Sequence, residues 1–136
     1  MSPAITTQTR RCTCFVVAGI TIVAGLGWRL LPLGLPPFWL KYGGSALWAV
    51  MVYWIGAALL PDWRPSRVAI AACGVAALVE FSRLFHAPGI DAFRMTLAGK
   101  LLLGRFFSAW DIVTYWVTIG VAASIDRATR RVTGSR

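Results

Sequence analysis

Glu80 and Asp111 are the residues of this chain best placed to do chemistry, because each stands inside a stretch otherwise greasy enough to cross a bilayer. An ionised group at the middle of a membrane helix costs roughly 2.5–3.5 kcal/mol on insertion-based scales, so a carboxylate there is held by a partner, a ligand or a proton-transfer role. The segment they bracket contains seven full charges and the only histidine, His86. Glu80 and Arg83 share a helical face at a spacing of three residues, and Asp91 and Arg94 repeat it. Asp111 and Tyr115 lie one turn apart, with Thr114 and Thr118 extending a polar stripe.

Three chemistries fit these residues. The charges can neutralise one another and lock a helix bundle. They can bind: six basic residues (Arg29, Lys41, Arg83, Arg94, Lys100 and Arg105) share one half of the membrane with only Glu80, Asp91 and Asp111, which leaves cations for an anionic headgroup. Or a desolvated Glu80, with His86 nearby, can act as acid or base. His86 abuts Pro88-Gly89 at a helix end, where a lone histidine is more often a cap or interface residue than a catalyst. The chain has no Ser-x-x-Lys pair, nucleophile elbow, His-Glu-x-x-His or P-loop. One histidine with scattered carboxylates makes a poor transition-metal set, so no metal or cofactor is expected. Residues 68–79 and 117–125 carry little polarity beyond Thr118 and Ser124, which argues against a transport path through a monomer.

Positioning these groups requires membrane helices. With 57% hydrophobic residues, 14% charged residues and a mean hydropathy of +0.66, the 136-residue chain is too apolar for an ordinary soluble domain. The expected fold is all-α: a polytopic membrane protein with four transmembrane helices at residues 12–31, 44–60, 67–83 and 106–125. Residues 1–11 form a polar, frayed N-terminal tail, 12–126 a single transmembrane domain and 127–136 a basic C-terminal tail. Residues 32–43, with three prolines and the cluster Phe38, Trp39, Lys41 and Tyr42, suit an irregular interfacial loop. Gly56, Ala57 and Ala58 offer a small packing face, and Ser66 could cap the third helix. Residues 90–105 have helical apolar spacing at Ile90, Phe93, Leu97 and Leu101, but Arg94 and Lys100 flank that stripe, so a short re-entrant or interfacial helix between helices three and four is expected. Glu80 then sits about 18 Å along its helix from Val68, and Asp111 about 21 Å from Ile125 on an antiparallel helix, at nearly equal depth.

The formal charge of +9 would prompt a nucleic-acid reading in a soluble chain. Here the cations punctuate apolar runs, as the positive-inside pattern does, and no nucleic-acid partner is expected. Eight basic residues flank the terminal side against six on the other, which favours both termini in the cytoplasm and a bacterial inner-membrane location. Arg10-Arg11 before the first run reads as the flank of a signal anchor rather than of a cleaved peptide. Cys12, Cys14 and Cys73 lack metal-ligand spacing and read as packing residues.

Several ordered blocks resemble a known family: Gly25-Leu26-Gly27-Trp28-Arg29, Lys41-Tyr42-Gly43-Gly44 leading into Leu47-Trp48-Ala49, Val52-Tyr53, Val79-Glu80-Phe81-Ser82, His86-Ala87-Pro88, Asp91-Ala92-Phe93-Arg94, Gly99-Lys100-Leu101-Leu102-Leu103-Gly104, and Asp111 with Tyr115. Over residues 19–122 the chain is similar to the DUF2809 family of small bacterial inner-membrane proteins. Where that resemblance implies an acid after the glycines, this chain has Ser45, and where it implies glutamine it has Arg83. Both changes make anion binding easier. The layout also resembles VanZ-like four-helix membrane proteins, by architecture alone.

The favoured function is non-catalytic binding of an anionic lipid or amphiphile headgroup near the outer face, with Arg29, Lys41, Arg94 and Lys100 on the anion. Glu80 and Asp111 orient them, Trp48, Tyr53 and Tyr115 form the walls, and His86 and Asp91 complete the expected ligand-binding set. The alternatives are a membrane enzyme acting on a lipid headgroup, with Glu80 or His86 as acid or base, and a structural subunit docking a membrane partner or a second copy.

Overall fold

The computed structural model describes residues 3–104 and 106–134, the side chains of 3–5 and 134 excepted. Six helices follow one another, with no strand among the described residues: α1 (Pro3–Leu30), α2 (Pro37–Leu59), α3 (Pro65–Ser82), α4 (Pro88–Met95), α5 (Leu97–Leu102) and α6 (Ala109–Gly134). Proline starts α2, α3 and α4 at a first-turn position, where its missing N–H leaves no hydrogen bond unmade and its fixed φ suits the helix.

Four of the boundaries differ from the sequence reading. Residues 3–11 are helical rather than frayed, because Arg10 and Arg11 reach across to Asp126 and to the carbonyls of Pro61 and Ala58 and anchor that stretch. The loop expected to extend to residue 43 ends at residue 36, where Pro37 opens α2. Ser66 caps nothing: Arg64 is the residue before α3 and offers no side-chain cap. The expected single helix over 90–105 is two, broken at Thr96, whose backbone is extended and whose hydroxyl oxygen accepts the Gly99 N–H at 3.0 Å and donates to Phe93 O at 2.6 Å. α5 folds back so tightly on α4 that a Cβ on Gly99 would stand 1.9 Å from Phe93 O. Arg105 and Arg136, counted among the basic residues above, lie outside the described residues.

α2, α3 and α6 pack on one another, and α1 packs mainly on α2. The core between them is built from small groups, Ala49, Ala57, Ala58, Ala72, Ala76, Ala122 and Ala123, around Tyr53, Val68, Tyr115 and Ile119. Small residues bring helix backbones close, so dispersion and buried polar contacts carry the packing where large apolar side chains do not. The large apolar groups instead face outward, among them Ile20, Val23, Ile70, Leu78, Trp110 and Val117. A soluble bundle would bury such groups.

Among the described residues three helices are long and apolar enough to cross a membrane: α1 over Thr6–Leu30, α2 and α3. α6, expected as the fourth crossing, is long enough but is not one of them. Asp111, Asp126 and the intervening Thr, Tyr and Trp residues dilute its hydropathy.

Candidate functional site

The C-terminus of α3 and the N-terminus of α6 meet at one end of the bundle, and Arg83 gathers the buried charge there. Its Nη1 lies 2.7 Å from Glu80 Oε2 and 3.4 Å from Asp111 Oδ2. Arg83 Nε donates to Leu103 O at 2.5 Å, Nη1 to Phe106 O at 3.1 Å and Nη2 to Tyr115 Oη at 3.2 Å. The two carboxylates use their other lone pairs: Glu80 accepts from the Ser108 N–H at 2.7 Å and from Tyr115 Oη at 3.2 Å, and Asp111 accepts from Ser45 Oγ at a long 3.5 Å. Glu80 is 0% and Asp111 3% exposed, so two buried carboxylates share one partly buried guanidinium. The local causes are plain helical spacings, three residues from Glu80 to Arg83 and four from Asp111 to Tyr115. Gly104 lets the loop after α5 close over the group: its φ is +65°, and a Cβ there would come within 2.8 Å of the Arg83 guanidinium.

Beside this network an apolar cleft of about 300 Å³ lies between α1, α2 and α5. Gly25, Leu26, Leu47, Trp48, Met51 and Leu101 line it, and Arg29 is its one full charge among the described residues. The Arg29 side chain lies over Gly44, where a Cβ would be 3.0 Å from Nε, and its Nη1 donates to Lys100 O at 3.5 Å. The Trp48 ring stands 5.1 Å from that of Tyr115, and its buried Nε1 has no hydrogen-bond partner. Lys41 is exposed, donates to Ser108 Oγ at 3.5 Å and lies 5.2 Å above the Tyr42 ring.

Arg94 does different work. It is 3% exposed, pairs with Asp91 at 3.1 Å and donates to Phe85 O at 2.7 Å and, with a short hydrogen bond, to Ser82 O. It thereby ties α4 to the end of α3. His86 Nδ1 lies 3.4 Å from the same Asp91 carboxylate, and His86, Asp91 and Arg94 line a separate cleft of about 220 Å³ with Met95 and Phe106.

A second buried cluster occupies the opposite end. Asp126, 1% exposed, accepts from Arg10 at 3.0 and 3.2 Å, from Tyr53 Oη at 2.7 Å and from Arg130 at 3.3 and 3.4 Å. Arg10 Nε also donates to Pro61 O at 3.1 Å. This joins α1, α2 and α6, as the Arg83 group joins α2, α3 and α6.

The structure therefore splits the single pocket expected from the sequence. Glu80, Asp111 and Tyr115 come together, with Trp48, Arg29 and Lys41 at their edge. His86, Asp91 and Arg94 form their own group. Lys100 is exposed on α5 and meets Arg29 through its carbonyl, and Tyr53 belongs to the far cluster, not to the walls of this site. Arg83, Ser45, Arg10, Asp126 and Arg130 are the clustered polar groups that sequence reasoning left off its site. A signal for Asp126 existed: Asp111, Tyr115, Ile119, Ala122 and Asp126 follow one another at steps of four, four, three and four, which is one helix face, and all are buried. Residues 127–134, expected as a tail, continue that helix.

No solved structure matches the chain. A family model matches residues 34–121, well over half of the protein and the stretch that holds Lys41, Ser45, Glu80, Arg83 and Asp111, while Arg29 lies before it. The chain thus belongs to the family described as Protein of unknown function (DUF2809).

Proposed function

We propose that this is a four-span inner-membrane protein, with both termini in the cytoplasm, that binds the anionic head of a membrane amphiphile at the Arg83 end of its bundle. The observation that carries this reading is one of charge accounting. Every carboxylate at that end already has a cation, Glu80 and Asp111 through Arg83 and Asp91 through Arg94. Arg29, Lys41 and Lys100 form no ion pair among the described residues. Cations left unmatched at a membrane interface attract anionic headgroups. α6 becomes the fourth crossing because its two acids are neutralised at its two ends rather than presented to lipid.

Acid or base catalysis by Glu80 has less support. Its carboxylate is fully covered by Arg83, Tyr115 and Ser108, which leaves no face for a substrate. Arg94, an anion contact in the sequence reading, is spent on Asp91 and two carbonyls.

Native mass spectrometry of the detergent-released protein tests the proposal. Arg29→Ala and Lys100→Ala should each lower retention of phosphatidylglycerol about threefold to fivefold, the scale of an exposed charged contact, and leave phosphatidylcholine unchanged. Equal retention of both lipids by wild type and variants would overturn it.

A further inference from the structure

The charge accounting above says what kind of head is bound but nothing of the tail. The cleft between α1, α2 and α5 supplies that. We infer that it takes the single hydrocarbon chain of a one-chain anionic amphiphile, whose phosphate or carboxylate head meets Arg29 at the cleft mouth. This inference rests on the proposed headgroup site and deepens it.

Three features of the cleft point to one chain. Its wall is almost wholly apolar, from Ile22, Leu26, Leu47, Met51, Leu101 and Leu102. The small residues Gly25, Gly44 and Ala98 leave the space open, and a Cβ on Gly25 would meet nothing nearer than Leu47 Cβ at 3.9 Å. The volume of about 300 Å³ is the space of about ten methylenes at ~30 Å³ each, the scale of one acyl chain. An unpaired cation at the mouth of an apolar groove matches an amphiphile whose head is anionic. Arg29 is the only charged lining residue, has no carboxylate partner among the described residues, and is steered toward the cleft by Gly44 and Lys100 O.

α5 forms the outer wall. It is held at its C-terminal end by Arg83 Nε on Leu103 O at 2.5 Å, packs on α4 through Gly99, and accepts the long hydrogen bond from Arg29 at Lys100 O.

The test uses the full-length protein in a neutral detergent and three probes: palmitoyl lysophosphatidate, palmitate and monopalmitoyl glycerol. Binding is read by native mass spectrometry on wild type, Gly25→Leu and Arg29→Gln. Gly25→Leu fills the cleft and should weaken all three probes about tenfold, since several buried methylenes lose their place. Arg29→Gln should weaken only the two anionic probes. Whichever of those binds wild type more tightly identifies the head as phosphate or carboxylate, and either order supports the inference. Ala98→Leu fills the same space from α5 and serves if Gly25→Leu does not fold. Unchanged binding of both anionic probes to a folded cleft-filling variant overturns the chain site, while persistent Arg29 dependence in that case leaves the headgroup proposal standing. Loss in Gly25→Leu with no effect of Arg29→Gln would instead remove the headgroup proposal and the anionic class of ligand with it.

Discussion

At the scale of single residues, the two buried carboxylate clusters are built alike. Each puts a carboxylate, an arginine and a tyrosine into contact: Glu80 and Arg83 of one helix end with Tyr115 of α6, and Asp126 of α6 with Arg10 of α1 and Tyr53 of α2. Removing one partner of a buried ion pair leaves an uncompensated charge, at about 3–5 kcal/mol. Arg83→Ala, which strands both Glu80 and Asp111, is therefore expected to destabilise the bundle by about that amount, read as a fall in thermal midpoint in detergent. Lys41→Ala, at an exposed side chain with no ion pair among the described residues, should change it by less than about 0.5 kcal/mol. Tyr53→Phe removes a 2.7 Å hydrogen bond to the buried Asp126 and is expected to cost about 1.5–3 kcal/mol, the range for a hydrogen bond to a charged group. If Tyr53 lined the site at the Arg83 end instead, the same substitution would alter lipid retention, and it is expected not to.

At the scale of elements, the segment from α4 to the loop before α6 is the least anchored part of the molecule. Its attachments to the bundle are specific hydrogen bonds rather than a shared core: Arg94 to the end of α3, Arg83 to Leu103 O and Phe106 O, and Arg29 to Lys100 O. Thr96 sets the corner between α4 and α5, so Thr96→Ala should cost about 1 kcal/mol as a lost cap, seen as about fivefold faster hydrogen exchange at residues 97–102. Gly99→Val should go further and unfold α5 locally, because Phe93 O already fills the place of a Cβ. Protease sensitivity confined to this segment, with α1, α2, α3 and α6 still protected, is the expected readout.

At the scale of the whole molecule, the proposed four antiparallel crossings would bring both termini and the α2–α3 turn to one side. An impermeant maleimide should label Leu33→Cys and Phe85→Cys in intact spheroplasts, and Ser66→Cys and Thr133→Cys only after permeabilisation, each in a background without Cys12, Cys14 and Cys73. Labelling of Thr133→Cys together with Leu33→Cys would remove α6 as a crossing and leave the three helices whose length and hydropathy suffice by themselves.

The helical, membrane-type character of this chain was legible from its residues alone, because hydropathy is local: an apolar run of twenty residues means the same thing wherever the chain goes. So were Glu80 with Arg83, and Asp111 with Tyr115, since their spacing on one helix is itself the contact. What only the tertiary structure decided is which charges meet across helices. Arg10 and Asp126 are 116 residues apart, and nothing in either neighbourhood names the other. The break at Thr96 was hidden for the same reason, an apolar period running through a corner that a hydroxyl and a glycine make. Tyr53 lies eight residues, about 12 Å, along α2 from Ser45, and only the register in which α2 packs on α6 puts that turn level with Asp126.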